Sequence, residues 1–324
     1  MKSAKSAYFT YSDALQHPGG HTAAAKAFFA PDAAINIVHP INEVAGAEAF
    51  CTAFLHPLQE AFEGLYRRHD IAMTGVFEGA TWVSATGYYV GHFMRDWIGL
   101  QATDRLSYLR FGEFYRIENG VAVEAYIFLD IPELMISCGQ WPLSKIPGAE
   151  RGHMGMIQGP ATHDGILHGD FDPAEGQKSY QIVTDMLCGL ATEDEAWRPY
   201  WHENMMWYGP GAWGSFVGVE HFRSFQLPFE SQFAGWSGGA ANNGMTRHFT
   251  RFGEGTYVCS GGWPSLTGVN CKPFMGFGPT NERVFFRVCD WWRREGDLLV
   301  ENWVIVDVPH ALLQFGFDVL PPQG

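Results

Sequence analysis

The chain has 324 residues, 46% apolar and 15% aromatic, and a formal net charge of −14. At roughly 100–200 residues per domain this length predicts two domains, and the acidic balance argues against nucleic acid or an anionic membrane surface as partner, because phosphates are held by basic patches. No run of about 18 apolar residues reads as a membrane span. No apolar stretch follows the lysines of the opening MKSAKSAYFTYSD either, so no secretion signal is read and a cytoplasmic protein is expected. The six cysteines, Cys51, Cys138, Cys188, Cys259, Cys271 and Cys289, form no Cys-x-x-Cys pair and read as reduced thiols rather than a metal site.

In chain order, a helical stretch over 10–30 leads to a loop holding His39, then to a second helix over 46–64. Four β-rich runs follow at 69–77, 81–94, 105–118 and 121–130, dominated by β-branched and aromatic residues. Glu118-Asn-Gly120 reads as a tight turn, and a short helix over 132–138 closes the block. The segment 140–177 is rich in Gly, Pro, Asp and His and has no amphipathic period. It carries Trp141, Met154, Met156, Ile157, Ile166, Leu167 and Phe171, so it is expected to lie ordered across a domain surface rather than hang free. The pattern then recurs: helices over 178–202 and 218–235, strands at 245–252, 256–269, 283–294 and 298–307, a turn at Glu295-Gly-Asp297 and a helix over 309–315.

The recurrence is a true repeat. Arg110, Arg116, Glu124, Asp130, Pro132 and Gly139 meet Arg287, Arg293, Glu301, Asp307, Pro309 and Gly316 at one constant offset. Phe77-Glu-Gly-Ala-Thr-Trp-Val likewise meets Phe252-Gly-Glu-Gly-Thr-Tyr-Val. The expected domains are therefore 1–139 and 178–324, with 140–177 between them. Helices followed by a four-stranded meander predict an α+β fold in each, a strongly bent, mostly antiparallel sheet wrapped around helices with a cavity between.

The second copy resembles a SnoaL-like domain of the nuclear transport factor 2-like superfamily. The resemblance rests on the hairpin Gly278-Pro-Thr-Asn281, the strand and turn Asp290-Trp-Trp-Arg-Arg-Glu-Gly-Asp297, and Glu301-Asn-Trp-Val-Ile-Val-Asp307 followed by Leu312-Leu-Gln-Phe-Gly316. The first copy keeps Glu124, Asp130 and Gly139 but has Tyr126 and Ser137 where the second has Trp303 and Gln314. The resemblance implies two cone-shaped barrels in tandem, pairing as an intramolecular pseudo-dimer, with a further homodimer as an option. It also implies cyclase, lyase or isomerase chemistry on a small apolar, polyketide-like carbonyl compound, without cofactor or metal. By the same resemblance Asp307, and less securely Asp130, is the general acid/base.

Read by themselves, the residues leave two roles open for these aspartates. Strand side chains alternate faces, so Glu301, Trp303, Ile305 and Asp307 share a face, as do Glu124, Tyr126, Phe128 and Asp130. A carboxyl among rings suits the wall of a half-apolar pocket, where burial raises its pKa toward that of a working base. Yet each aspartate also precedes a proline and a short helix, the place of a helix cap. Glu124 and Glu301 are expected to pair with Arg110 and Arg287. Pocket-lining candidates are His202, Trp207, Tyr208, Trp213, His248, Trp263 and Trp303 in the second copy and Tyr126 in the first. His153, His163 and His168 lie among aspartates in 140–177 but match no zinc spacing; Thr162-His-Asp-Gly165 reads as a turn closed by its own side chains. A ligand-binding module without chemistry and a domain pair with filled cavities remain alternatives.

Overall fold

The computed structural model describes residues 2–16, 20–143, 155–190, 194–239 and 244–320; His153 and Met154 lie outside the described residues. The chain divides into two compact units. Unit 1 is Met1–Gln140 with Gln158–His168 and Leu320–Gly324, and unit 2 is Trp141–Ile157 with Gly169–Val319.

Unit 1 opens with helices α1 (Lys2–Ala14) and α2 (His21–Phe28), then strands β1 (Phe29–Ile37) and β2 (Glu43–Ala45). Helix α3 (Gly46–Phe50) runs through a π turn into α4 (His56–Ala61). The long strands β3 (Phe62–Phe77), β4 (Ala80–Phe93), β5 (Leu106–Glu118) and β6 (Val121–Leu129) form the meander, and α5 (Ile131–Ser137) closes it. The strand order is β2-β1-β6-β5-β4-β3, with β1 parallel to β6 and the other neighbours antiparallel. Asn119 (φ 50°) and Gly120 (φ 86°) make the β5–β6 turn, the consecutive positive φ pair that a two-residue hairpin needs.

Unit 2 repeats this plan. It comprises α6 (Pro173–Cys188), β7 (Trp201–Tyr208), β8 (Ser215–Val217), α7 (Val219–Glu230), β9 (Phe233–Gly238), β10 (His248–Glu254), β11 (Tyr257–Asn270), β12 (Arg283–Glu295), β13 (Leu298–Val306) and α8 (Val308–Leu313). The order β10-β11-β12-β13-β7-β8 is that of unit 1, with β9 added against β11. Strand β7 is parallel to β13. The α+β architecture expected from the repeat is thus present twice.

The first helix and the loop after it are where each copy departs from expectation. The stretch 10–30 holds two helices and the start of β1, and the second copy's helix begins at Pro173, five residues before the expected 178. Its cap explains the early start: Asp172 accepts a hydrogen bond from the Ala174 amide at 2.9 Å, and Pro173 fits the first turn. The expected loops contain β1 and β7. Part of 140–177 is ordered against unit 1: Ile166 bridges to Ala72 in parallel, with Ala72 N to Gly165 O at 2.9 Å and Leu167 N to Ala72 O at 3.1 Å. This stretch covers the exposed edge of β3, a place that otherwise invites foreign strands. Thr162 donates to the Asp164 carboxylate within the expected turn. Among the described residues no helix is long and apolar enough to cross a membrane.

Unit 1 also buries a carboxyl group at the start of α5. Glu133 is 2% exposed and accepts one bond, from Tyr88 Oη at 3.0 Å. Burial, reinforced by the neighbouring Asp130, pushes its pKa up to about 8. Because the folded value lies above the unfolded one, stability is full below about pH 4.5 and is lost as pH rises toward 8. Glu133→Gln should therefore gain stability over wild type progressively through that window. Urea midpoints at pH 5 and pH 8.5 check this: the variant's advantage must be larger at the higher pH.

Candidate functional site

The side chains that face one another inside unit 2 follow from strand parity. On β12, Phe286, Val288, Asp290 and Trp292 alternate onto one face, and on β13 Val304 and Val306 do so. They line a cavity of about 90 Å³. Helix α7 closes it with Phe222, Phe225, Gln226 and Phe229, at the 3–4 residue spacing that puts side chains on one helical face. Trp201, Trp207, Trp213 and Trp236 complete an aromatic wall of tilted and edge-to-ring contacts; Trp213 lies tilted 4.8 Å from Phe229, and Trp236 meets Phe229 edge-on at 5.3 Å.

Three polar residues on neighbouring strands stand in one row, two of them, Ser260 and Asp290, on the cavity wall. Arg251 on β10, Ser260 on β11 and Asp290 on β12 stand directly opposite one another in the ladder and so share a face. His248 stands opposite Gly262, one row along. A Cβ on Gly262 would meet the Ser265 Cα at 2.5 Å, so only glycine lets β11 fold back there. That fold brings Ser265 Oγ to 2.9 Å from His248 Nε2. His248, Ser260, Ser265 and Asp290 all border the cavity.

Electrostatics separates the two titratable groups. Asp290 is half-buried: packed about by protein, with its remaining surface on the cavity. Burial pushes its pKa up to about 7, against smaller opposing effects of a hydrogen bond from Asn302 and the positive Arg251. No arginine forms an ion pair with it among the described residues, and Arg251 is turned to Ser260 Oγ (3.2 Å) and the Gly239 carbonyl. Burial, then Arg251, pushes the His248 imidazole down to about 3. Near neutral pH the cavity therefore holds an uncharged histidine and a carboxyl poised between its two states. That is the condition for passing a proton either way.

The sequence candidates fall into two groups. Trp207, Trp213 and His248 border the cavity. The others are not among its lining; on β13 it is Val304 and Val306 that face it, so Trp303 and Asp307, on the alternate face, point elsewhere, contrary to expectation. Asp307 caps α8, accepting from the His310 amide at 3.1 Å, and pairs with Arg287 at 3.1 Å. Asp130 caps α5 and pairs with Arg110 at 2.7 Å. Each of these carboxyl groups is thus engaged by a helix start and an arginine, and neither lines the unit 2 cavity. Trp303 stacks on Tyr208 at 5.4 Å; burial and the nearby Glu301 push the Tyr208 phenol up to about 12. The Arg287 guanidinium lies over Trp263 at 4.1 Å. His202 is exposed and accepts from the Asn204 amide at 3.1 Å. Tyr126 donates to Glu124 at 2.7 Å. The glutamate pairing also differs from expectation: Glu124 and Glu301 pair with Arg116 (2.9 Å) and Arg293 (2.5 Å), their direct ladder partners.

Asp290 is the functional candidate that the sequence reading passed over. Its signal was present, an acid at the centre of the alternating apolar set Phe286, Val288, Trp292. Among the described residues no three His, Cys, Asp or Glu side chains gather as a metal site.

The two aspartates should respond oppositely to mutation. Asp307→Ala leaves Arg287 without its carboxylate and α8 without its cap, at a cost on the order of 3–5 kcal/mol. Asp290→Asn removes a group that loses stability as pH rises from 3.8 toward 7. It should therefore stabilise the fold by about 2–4 kcal/mol at pH 8 and by far less at pH 4. Thermal melts of both variants across that range check the signs.

No family model matches the chain, and no curated protein matches its sequence. Solved structures do. The chain is similar to IdmH of Streptomyces antibioticus, a candidate polyketide cyclase: 15% identity over 42% of this chain and 98% of that one, TM-score 0.36. It is similar to a candidate SnoaL-like polyketide cyclase of Jannaschia sp. CCS1, at 17% identity over 43% and 94%, TM-score 0.36. A nuclear transport factor 2-like protein of Burkholderia thailandensis matches at 19% identity over 43% and 99%, TM-score 0.35. Each match spans less than half of this chain and nearly all of the other. Likeness at this level leaves the chemistry to the residues of each site.

Proposed function

We propose that unit 2 binds a small, uncharged apolar carbonyl compound and moves a proton on it, as an isomerase or lyase, with Asp290 as the acid/base. The single observation that carries this reading is a carboxyl group with its pKa near 7 in an aromatic cavity beside a neutral histidine.

The chemistry follows from the groups present. The ionised Asp290 carboxylate takes a proton from the carbon next to the substrate carbonyl. The electron pair of that C–H bond moves onto the carbonyl oxygen as an enolate. Hydrogen-bond donors at that oxygen lower the barrier; the Ser265 hydroxyl and the neutral His248 imidazole share one proton in their own 2.9 Å bond and keep one to donate on the cavity wall, and the positive Arg251 behind Ser260 favours the developing negative charge. The protonated Asp290 then returns the proton to another carbon, or the enolate carbon attacks a second carbonyl and closes a ring, the second carbonyl's π pair moving onto its oxygen, which takes the proton back from Asp290. Trp207, Trp213 and the α7 phenylalanines hold the apolar body. A volume of about 90 Å³ is smaller than the roughly 150 Å³ apolar cavity that takes up benzene, so the ligand is at most a small single ring and seats fully only when the aromatic wall gives way. Asp290 here takes the role that the sequence resemblance gave to Asp307.

The test is a panel of small cyclic ketones and enones followed by proton–deuterium exchange. Wild type should exchange the proton next to the carbonyl with a rate rising through an apparent pKa near 7. Asp290→Asn should lose about 10²–10⁴-fold, the usual worth of a positioned acid/base. Exchange that is unchanged in Asp290→Asn would sink the assignment. Binding without exchange in either protein would leave unit 2 a carrier of such ligands.

A further inference from the structure

The same ladder positions in unit 1 hold a related set of residues with a different outcome. His69 stands opposite Gly87, as His248 stands opposite Gly262. Glu113 stands opposite Ala85, two residues from Gly87 on β4, as Asp290 stands opposite Ser260, two residues from Gly262 on β11. Both histidines are pushed down to about 3 by burial. Each unit therefore carries one histidine and one carboxylate at matching places on matching strands.

What surrounds them differs. Two residues before His69 is Arg67; two before His248 is Thr246. Arg67 forms an ion pair with Glu113 in which both side chains are nearly inaccessible, 2% and 1%. Its Nη2 also donates to Tyr8 Oη at 2.8 Å, and Phe111 lies 4.5 Å beneath the guanidinium. Tyr8, from α1, reaches His69 Nε2 at 2.8 Å and is fully buried. Tyr89 donates to the other oxygen of Glu113 at 3.2 Å, and Tyr115 packs on Tyr8 at 5.6 Å. The space that in unit 2 is a cavity is here occupied by one guanidinium and the rings of α1, β4 and β5.

We propose that unit 1 keeps the same ligand site in closed form, plugged by Tyr8 with its carboxylate neutralised by Arg67, so that the chain binds one small ring compound, in unit 2. The Glu113 carboxylate spends both oxygens on its partners, one on Arg67 and one on Tyr89, and presents neither to a ligand. The closed copy is then fitted for stability and the open copy for chemistry. The functional half of this inference rests on the reading of Asp290 and His248 given above; the closure rests on the geometry of unit 1 alone.

Calorimetric titration of the full chain with phenol, a neutral single ring with one hydroxyl, tests it without any need for turnover. Wild type should bind one phenol per chain. Val304→Phe, which fills the unit 2 cavity, should reduce this to none. Tyr8→Gly vacates the volume of a phenol ring beside Arg67 and His69, and should raise the count from one to two. Two phenols per wild-type chain would overturn the closure, as would a single phenol that survives Val304→Phe. So would a folded Tyr8→Gly chain that still binds one. No binding by wild type would overturn the open cavity. The count depends on ring uptake, whereas the proton-transfer reading fails or stands on Asp290→Asn exchange, so the two failures are separable.

Discussion

A carboxylate taken out of water must either find a cation or keep its proton, and this constraint arranges most of the polar interior. Four buried acids take the first course: Glu113 with Arg67, Asp130 with Arg110, Asp307 with Arg287, and Glu301 with Arg293. Each of these sits in a sheet or at its margin and fixes a local geometry, two of them by capping the closing helix of their unit. Asp290 and Glu133 take the second course. Their pKa values rise to about 7 and about 8 because burial outweighs the favourable interactions around them. Of these two, only Asp290 borders the cavity described in unit 2.

The aromatic wall is therefore more than packing. By excluding water it raises the Asp290 pKa to about 7 and lowers that of His248 to about 3, the two conditions on which the proposed roles of base and hydrogen-bond donor rest. An arginine placed directly on Asp290, as Arg67 is placed on Glu113, would fix its charge and end proton exchange. The protein accepts a less stable carboxyl in unit 2, a common trade at functional sites, and unit 1 supplies the contrast within one chain.

Much of the architecture was legible beforehand. The repeat, the two β meanders and their turns follow from β-branched runs, Asn-Gly and Gly-Asp breaks, and matching residues at constant spacing. The parallel strands β1 and β7 were not, because Phe29-Ala-Pro-Asp and Trp201-His-Glu-Asn mix polar and helix-neutral residues, and their pairing is made with a distant strand. Strand parity correctly grouped Glu301, Trp303 and Asp307 on one face but could not say which face meets the helices. The pocket lies on the apolar face of the strand, with Val304 and Val306, rather than on the mixed polar one. The glutamate partners were not legible from the turns: counting outward sets Arg116 against Val123 and Arg293 against Val300, and a bulge in each hairpin shifts the register to Glu124 and Glu301. Asp290 was missed because its motif drew notice to the tryptophans beside it rather than to an acid facing inward with Val288 and Trp292.

The protonation state of Asp290 tests the central claim most directly. An infrared pH titration of the carboxylic acid band, with Asp290→Asn subtracted to isolate this group, reads it without a substrate. The account predicts a band assignable to Asp290 that persists at pH 6 and is half lost near pH 7. An Asp290 signal already fully ionised at pH 5 would contradict it, and would return this aspartate to the ordinary structural role played by Asp130 and Asp307.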